Sequence, residues 1–485
     1  MTTHLVPAFP DEDRRDPDIN PHFTYATATD KITGIVHQPV SAAWLFGFGI
    51  SFLGLMLFNV AVTWLLVWGI GEWGVDIPVG WGLAITNFVW WIGIGHAGTF
   101  ISAFLLLLRQ EWRTSINRFA EAMTLFAVMC AGMFPLLHLG RPWLFYFLFP
   151  YPNTMDLWPQ FRSPLIWDVF AVSTYFTVSL VFWYVGLIPD LATLRDQKTR
   201  SLLSRKVYGF LSLGWRGASR HWHRYHKAYI LLAGLAAPLV VSVHSVVGMD
   251  FAGGIVPGWH STIFPPYFVA GAIYSGFAMV VTLAVPMRAF FGLQGMITTK
   301  HLDNCAKLML VTGLIVCYGY YTETFQGWYS GSPYEIGMMR DRWFGPYWPA
   351  WWLIVFCNCV VPQFFWSYRI RRSPWILFLL SNLIQLGMWL ERFVIVCQSL
   401  HHEYLPSKWA MYYPTFWDWA TLAGTLGLFF TLFFLFCRYL PVIAVAEIRE
   451  LVHRKAAGEG TAAAVRQVGM APPWNDPQRE VNARE

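Results

Sequence analysis

Charge is what this sequence has least of. Only 13% of its 485 residues are Asp, Glu, Lys or Arg, against about 25% in a soluble globular protein. That deficit excludes a soluble enzyme, a disordered chain and a dedicated nucleic-acid binder. The formal charge of +6 lies in short clusters between apolar blocks, the pattern of basic residues flanking membrane spans. Cysteine is sparse too: the seven Cys fall mostly inside apolar runs, and neither CxxC nor CxxCH occurs. A disulfide framework, a structural zinc site and covalent c-type haem therefore have no basis. The N-terminal MTTHLVPAFPDEDRRDPD lacks the apolar core of a signal peptide. Apolar residues, by contrast, make up 56% of the chain, with 27 Trp and 39 Phe.

Long stretches carry no Asp, Glu, Lys or Arg at all. They are 32–71, 77–108, 122–140, 169–189, 228–249, 251–287, 343–368, 373–390 and 419–437. A tenth, 308–322, continues through Glu323 into FQGWY. A bilayer core of about 30 Å needs roughly 20 apolar helical residues, so ten helices are expected. The Gly- and Pro-rich GGIVPGWHSTIFPP reads as a surface or interfacial loop, with helix 6 starting near Tyr267. The apolar runs are continuous, where a barrel strand would alternate every second residue. The fold class is an all-α polytopic membrane protein.

Lys and Arg number 21 in the N-terminal tail and the loops after helices 2, 4, 6 and 8. The loops after helices 1, 3, 5, 7 and 9 hold 5. By the positive-inside rule both termini face the cytoplasm. The loop after helix 4 is the most basic element and suits lipid-headgroup contact. Residues 456–485 read as a disordered tail.

A charge within a span costs at least about 2.5–3.5 kcal/mol on insertion scales, so the few that occur are informative. On this topology helix 3 runs outward to His138, with Arg141 just beyond. Helix 4 starts outside with Asp168 in its first turn. Helix 5 runs outward through His244 to Asp250, and helix 7 to Tyr320, Tyr321 and Glu323. Helix 9 holds Glu391 and Arg392 about 26 Å along its length. Each has a bland alternative: an anchor at the membrane boundary for Glu391 and Arg392, a helix N-terminal charge for Asp168, a satisfied helix-end histidine for His138, loop carboxylates for Asp250 and Glu323. Adjacent helical positions point apart, so Glu391 and Arg392 need not pair. Those alternatives do not account for five helices placing titratable groups at one depth. The opposite half holds fewer candidates, Glu121 near the start of helix 3 and His96 midway along helix 2.

A carboxylate and an imidazole beneath a membrane surface suit the two hydroxyls of a quinol and can accept its protons during oxidation. Arg392 can hold a carboxylate ionised or stabilise a semiquinone anion, and Trp and Phe suit an isoprenoid tail. His96, His138 and His244 lack a regular spacing for haem-b ligation, and the scattered Cys disfavour an iron–sulfur cluster. No metal or redox cofactor is expected in this chain, so the redox centre belongs to a partner on the periplasmic face. A secondary transporter or proton channel would want polar groups across the bilayer midplane. Here that inventory is thin: His96, Asn87, Asn358, Asn382 and Gln385.

The segment LLHLGRPWLFYFLFPYPN, leading through FRSPLIWD into helix 4, resembles the signature of the NrfD/PsrC-type quinone-interacting membrane subunits. With YWPAWWLIVFCNCVVPQFFW in the second half, residues 30–450 look like the C subunits of bacterial alternative complex III. The resemblance implies four-helix bundles from helices 2–5 (77–250) and 6–9 (251–403). Helix 1 (42–76) and helix 10 (404–440) are then peripheral, between cytoplasmic tails 1–41 and 441–485. It implies that His138, Asp168, Asp250 and Arg392 bind quinol (menaquinol or ubiquinol), with His138 and Asp168 catalytic. Arg141, His244, Tyr320, Glu323, Glu391, His96 and Glu121 are second to these, around the site or along a proton path. The implied partners are a periplasmic iron–sulfur subunit, multihaem cytochromes c and a homologous second membrane subunit, all in the bacterial inner membrane.

Overall fold

A computed structural model describes residues 17–149, 162–197 and 201–455. Part of the resemblance segment (150–161) and the C-terminal tail expected to be disordered (456–485) lie outside the described residues. Among the described residues there are no strands, and ten helices are long and apolar enough to cross a membrane. They are α1 (Ala42–Trp68), α2 (Gly82–Leu107), α3 (Asn117–His138), α4 (Pro164–Asp196), α5 (Ser219–Ala252), α6 (Phe264–Phe290), α7 (Thr299–Tyr329), α8 (Trp348–Trp366), α9 (Pro374–His401) and α10 (Phe416–Tyr439). The chain is a multi-pass membrane protein.

The helices pack as two four-helix groups. In the first, α2 lies on α3 and α4 on α5; in the second, α6 touches α7 and α9, and α8 packs on α9. Helix α2 also packs on α6, and these two are buried on nearly all sides. Small residues let them approach, since a Cβ on Gly276 would lie 2.5 Å from the Ala97 Cβ; Gly98 does the same for α2 against α3, where a Cβ would lie 2.0 Å from the Ala120 carbonyl oxygen. Lipid tails offer helices no hydrophobic reason to associate, so close backbone packing carries the contact. Helix α1 is exposed over most of its length and pairs with α10 through Gly54, Gly424 and Gly427.

Two ends can be told apart. At the end carrying both termini, Asp18 meets Lys300 at 3.5 Å and Lys455 at 3.3 Å. The expected tails are partly folded there. Thr24 caps a helix over Tyr25–His37 whose Ala28, Ile32, Ile35 and Val36 are buried, one apolar stripe at helical spacing. Residues 445–455 are helical and bury Val445, Ile448 and Leu451. Arg449 joins the two pieces by donating to the Thr29 hydroxyl at 2.8 Å.

At the far end, Asp418 in the first turn of α10 accepts from the backbone N–H groups of Gly74 and Thr415, both at 2.8 Å, and from the Tyr412 hydroxyl at 3.0 Å. Gly74 is required, because a Cβ there would sit 2.1 Å from the Tyr413 carbonyl oxygen. Helix α6 begins at Phe264, three residues before the expected Tyr267. The loop before it is not wholly at the surface: Trp259 is buried and donates to the Ile395 carbonyl at 2.6 Å.

Three spans contain a π-helical turn, at Phe100–Phe104 in α2, Phe356–Val360 in α8 and Val394–Gln398 in α9. Such turns change which side chains face a bundle interior and often mark functional sites. Two of the three flank the cluster described below.

The α1–α10 seam yields a direct test. Gly427→Leu places a side chain where the Gly54 backbone lies, at the cost of about 1–3 kcal/mol expected for overpacking. Thermal unfolding in detergent, followed by tryptophan fluorescence, should show a lowered midpoint.

Candidate functional site

The groups gathered toward the far end form two constellations separated by an aromatic layer. The first joins the start of α4 to the end of α5. Asp168 is buried one turn into α4, and its carboxyl lies within hydrogen-bonding reach of the Asp250 carboxyl. Two carboxyls that face each other repel when both are ionised, so their approach favours a proton on one of them. Each retains one buried oxygen with no hydrogen-bond partner, Oδ1 in both. His138 closes α3, and its Nδ1 is likewise buried without a partner. Arg141 follows at the surface. Unpaired buried polar atoms are rare in native folds and call for a ligand or water.

The second constellation belongs to α7, α8 and α9. Glu391 and Arg392 are both buried and ion-paired with each other. Helical spacing alone gives neighbours on one helix no reason to meet. They meet here because both long side chains turn into the same interior, where no solvent competes for either. The Tyr320 hydroxyl donates to the Glu391 carboxylate, and Asn358 donates to the Tyr320 oxygen at 2.8 Å and to Glu391 at 3.5 Å. Asn358 lies in the π turn of α8, while Glu391 and Arg392 immediately precede that of α9. A carboxylate buried with two neutral donors and one guanidinium has most of its solvation replaced.

Between the two lies an aromatic layer. The Arg392 guanidinium sits 4.5 Å above the Phe268 ring, a cation–π contact in a dry setting. Phe268 touches Phe251, the residue after Asp250, at 5.4 Å, and Phe251 touches Trp259 at 5.0 Å. Asp168 and Asp250 are not among Arg392's partners in the described residues.

His244 continues inward, about 9 Å along α5 from Asp250. Its ring lies 5.9 Å from Phe268 and 4.4 Å, edge to face, from His96. Both histidines are fully buried; His96 Nδ1 meets the Ile92 carbonyl at 2.7 Å, and the other three ring nitrogens have no hydrogen-bond partner. Tyr175 lies 5.3 Å from His96, and its hydroxyl bonds Thr99 at 2.8 Å and donates to the Gly95 carbonyl at 2.9 Å. Glu323 lies outside this line and accepts from Arg342 at 2.6 Å. In the short helix Pro333–Phe344, burial pulls the Asp341 carboxyl upward. The His401 imidazole 3.6 Å away and a hydrogen bond from the Gln398 amide at 3.2 Å outweigh it and hold the group below the usual carboxylate range.

Toward the terminal end, Glu121 accepts from Arg118 and from the Tyr229 hydroxyl, both at 3.2 Å. Arg118 also binds Asp190 at 3.2 Å and the Gly186 carbonyl at 2.7 Å, and Arg113 meets Glu447 at 2.8 Å. Sequence reasoning found Glu121 but missed this network. Asp190 follows Pro189, where the fourth apolar run ends, yet α4 continues to Asp196. It missed Phe251 and Phe268 as site walls, because in an aromatic-rich chain two more rings carry no signal. Asn358 was visible as a polar residue within an apolar run, but its partners were not. No group of three or more His, Cys, Asp or Glu among the described residues is arranged to hold a metal.

The sequence profile described as polysulphide reductase, NrfD, matches residues 74–402. A selenate reductase subunit from Mesobacillus selenatarsenatis is 23% identical over 403 residues, 78% of this chain and 90% of the relative. The Hdr-like menaquinol oxidoreductase integral membrane subunit of Archaeoglobus fulgidus is 21% identical over 441 residues, 84% of this chain and 97% of the relative. A putative dimethyl sulfoxide reductase membrane subunit from Halobacterium salinarum is 28% identical over 233 residues, 46% of this chain. The match spans about half that relative's length, 49%.

The second constellation makes a stability prediction. Tyr320→Phe removes a hydrogen bond to a buried carboxylate, a loss of about 1.5–3 kcal/mol. A lowered unfolding midpoint with unchanged helical content by circular dichroism is the expected outcome.

Proposed function

This chain belongs to the NrfD family, and on that footing we propose that it is the quinol-oxidising membrane subunit of a respiratory or photosynthetic electron-transfer complex of the alternative complex III type. The observation that carries this reading is the facing Asp168–Asp250 carboxyl pair, with an unpartnered oxygen on each and a helix-end histidine on the neighbouring span. With both termini cytoplasmic, as the Lys and Arg distribution favours, this end opens to the periplasm of the bacterial inner membrane.

In that role the residues divide the work. Oxidation of a quinol releases two protons and two electrons. Asp168 and His138 take hydroxyl protons; before the transfer Asp250 shares the pair's single negative charge, and the proton from the quinol neutralises it. The rings of Phe251, Phe268 and Trp259 form an apolar wall against which the quinol ring lies. Arg392, held by Glu391 and Phe268, adds positive potential on the far side of that wall. Electrons leave to an iron–sulfur partner subunit and then to multihaem cytochromes c, beside a second homologous membrane subunit. Menaquinol is the substrate favoured here, in keeping with the archaeal relative's name.

A proton path inward extends the same reading. The His96–His244 pair, Tyr175 and the Glu121–Tyr229 contact place titratable or hydroxyl groups at intervals through the first bundle. They suit a half-path from the cytoplasm for redox-driven translocation.

A second reading, a quinone-reducing anchor of a molybdopterin and iron–sulfur reductase, draws on relatives that are named as reductase subunits. It uses the same pocket with electrons flowing the other way. Purified complex that reduces a quinone from a soluble donor, and fails to reduce haem from quinol, would select it.

Asp168→Asn and His138→Ala should each cut quinol-dependent reduction of the haem partner by about 10²–10⁴-fold, the range for loss of a general base, while the complex still assembles with all its proteins. Normal turnover in both would sink the proposed base chemistry. Glu121→Gln should lower the proton-to-electron ratio measured in proteoliposomes without stopping electron flow.

A further inference from the structure

A cavity of about 510 Å³ lies at the terminal end, walled by the ends of α4 and α5, the Tyr25–His37 helix and the C-terminal helical segment. Its charged lining is Arg195, Arg216, Arg449, Asp196 and Glu450, with His226, His453 and the indoles of Trp215 and Trp222. The pairing of these charges is uneven. Asp196 is taken by Arg195, which grips it through Nε at 2.7 Å and Nη2 at 2.9 Å. Glu450 is paired with Arg454 at 3.7 Å. Arg449 is positioned by neutral groups alone, the hydroxyls of Thr29 and Thr193 and the Tyr25 ring 4.6 Å from its guanidinium carbon. The Arg216 guanidinium has no acidic partner among the described residues. Both acids are thus neutralised by arginines, and two guanidinium charges remain for a ligand.

The surroundings say what kind of anion fits. The helix Leu202–Leu211, reached from the cavity through the Arg195–Ser212 contact at 3.3 Å, exposes Leu202, Leu203, Val207 and Phe210 beside Arg205 and Lys206. That is the make-up of a helix lying in a membrane surface with its apolar side in the acyl region. Trp215 and Trp222 pack edge to face at 5.0 Å at the cavity wall, the residue type that favours the headgroup level. A soluble anion has no use for the exposed apolar helix or the indoles. A molecule with a phosphodiester head and acyl chains uses both.

We propose that this cavity is a binding site for the headgroup of an anionic phospholipid, held by Arg216 and Arg449, with its chains running along the Leu202–Leu211 helix. The site lies at the opposite end of the bundle from the Asp168–Asp250 pair and is independent of the quinol reading. Bound lipid ties the N-terminal helix, α4, α5 and the C-terminal segment together.

The test uses full-length protein in mild detergent, stripped of lipid by repeated exchange. It is then titrated with phosphatidylglycerol, phosphatidylcholine or inorganic phosphate, and bound lipid is counted by native mass spectrometry. Phosphatidylglycerol should bind and raise the unfolding midpoint, whereas phosphatidylcholine and phosphate should not. Arg216→Glu, at an exposed position, should weaken binding by at least about fivefold, with Arg216→Lys retaining it and the lipid-free midpoint unchanged. Arg449→Gln provides a second variant should the first not fold. Equal binding of phosphatidylcholine, a phosphate effect matching phosphatidylglycerol, or full affinity in both charge-removing variants would overturn the proposal.

Discussion

Inside a bilayer a charged side chain has no water to turn to, so it must find its partners within the fold. Every feature of interest in this protein follows from how that demand is met. Glu391 is held by Arg392, Tyr320 and Asn358 from three helices. Arg118 is held between Glu121 and Asp190, with carbonyls of α4 completing its shell. Removing the charged partner from such a set leaves an uncompensated charge, at a cost of about 3–5 kcal/mol. The helices that carry these groups are thereby fixed in rotation and depth, and their orientation in turn sets where the proton-handling residues lie.

The Asp168–Asp250 pair departs from that scheme. Here two acids face each other with no cation paired to either among the described residues, an arrangement that favours a proton on one of them. A group of this sort is poorly suited to holding helices together and well suited to proton exchange. The contrast is one of charge pairing: the structural clusters set each acid against a guanidinium, whereas the two aspartates face each other. His138 and the His96–His244 pair likewise have no acidic partner among the described residues, and each ring keeps at least one buried nitrogen unbonded.

Much of the architecture was legible from composition. Each apolar run falls on one of the ten spans, because hydropathy and length are imposed by the bilayer before any packing occurs, though their ends differ by up to 13 residues. The folded pieces at the termini were harder to see, although Ala28, Ile32, Ile35 and Val36 carry a helical stripe. They are short and polar overall, and what stabilises them is the surface they cover. The candidate residues were legible one at a time, as costly groups at similar depth. Their grouping was not: Arg392, placed with the two aspartates by resemblance, makes its contacts with Glu391 and Phe268, while Asn358, one polar residue of a thin mid-membrane inventory, is a partner of Glu391.

What the sequence determined alone was the class of protein, the number of spans and which side chains are too expensive to be accidental. Those properties depend on transfer free energies, which sum residue by residue along the chain. Which expensive groups meet was decided only by tertiary structure. It depends on helix rotation, on π turns that reset the facing of Asn358 and the residues after Arg392, and on glycines that let α2 and α6 close on each other. A contact between two helices is a property of both, and no single stretch of sequence contains it.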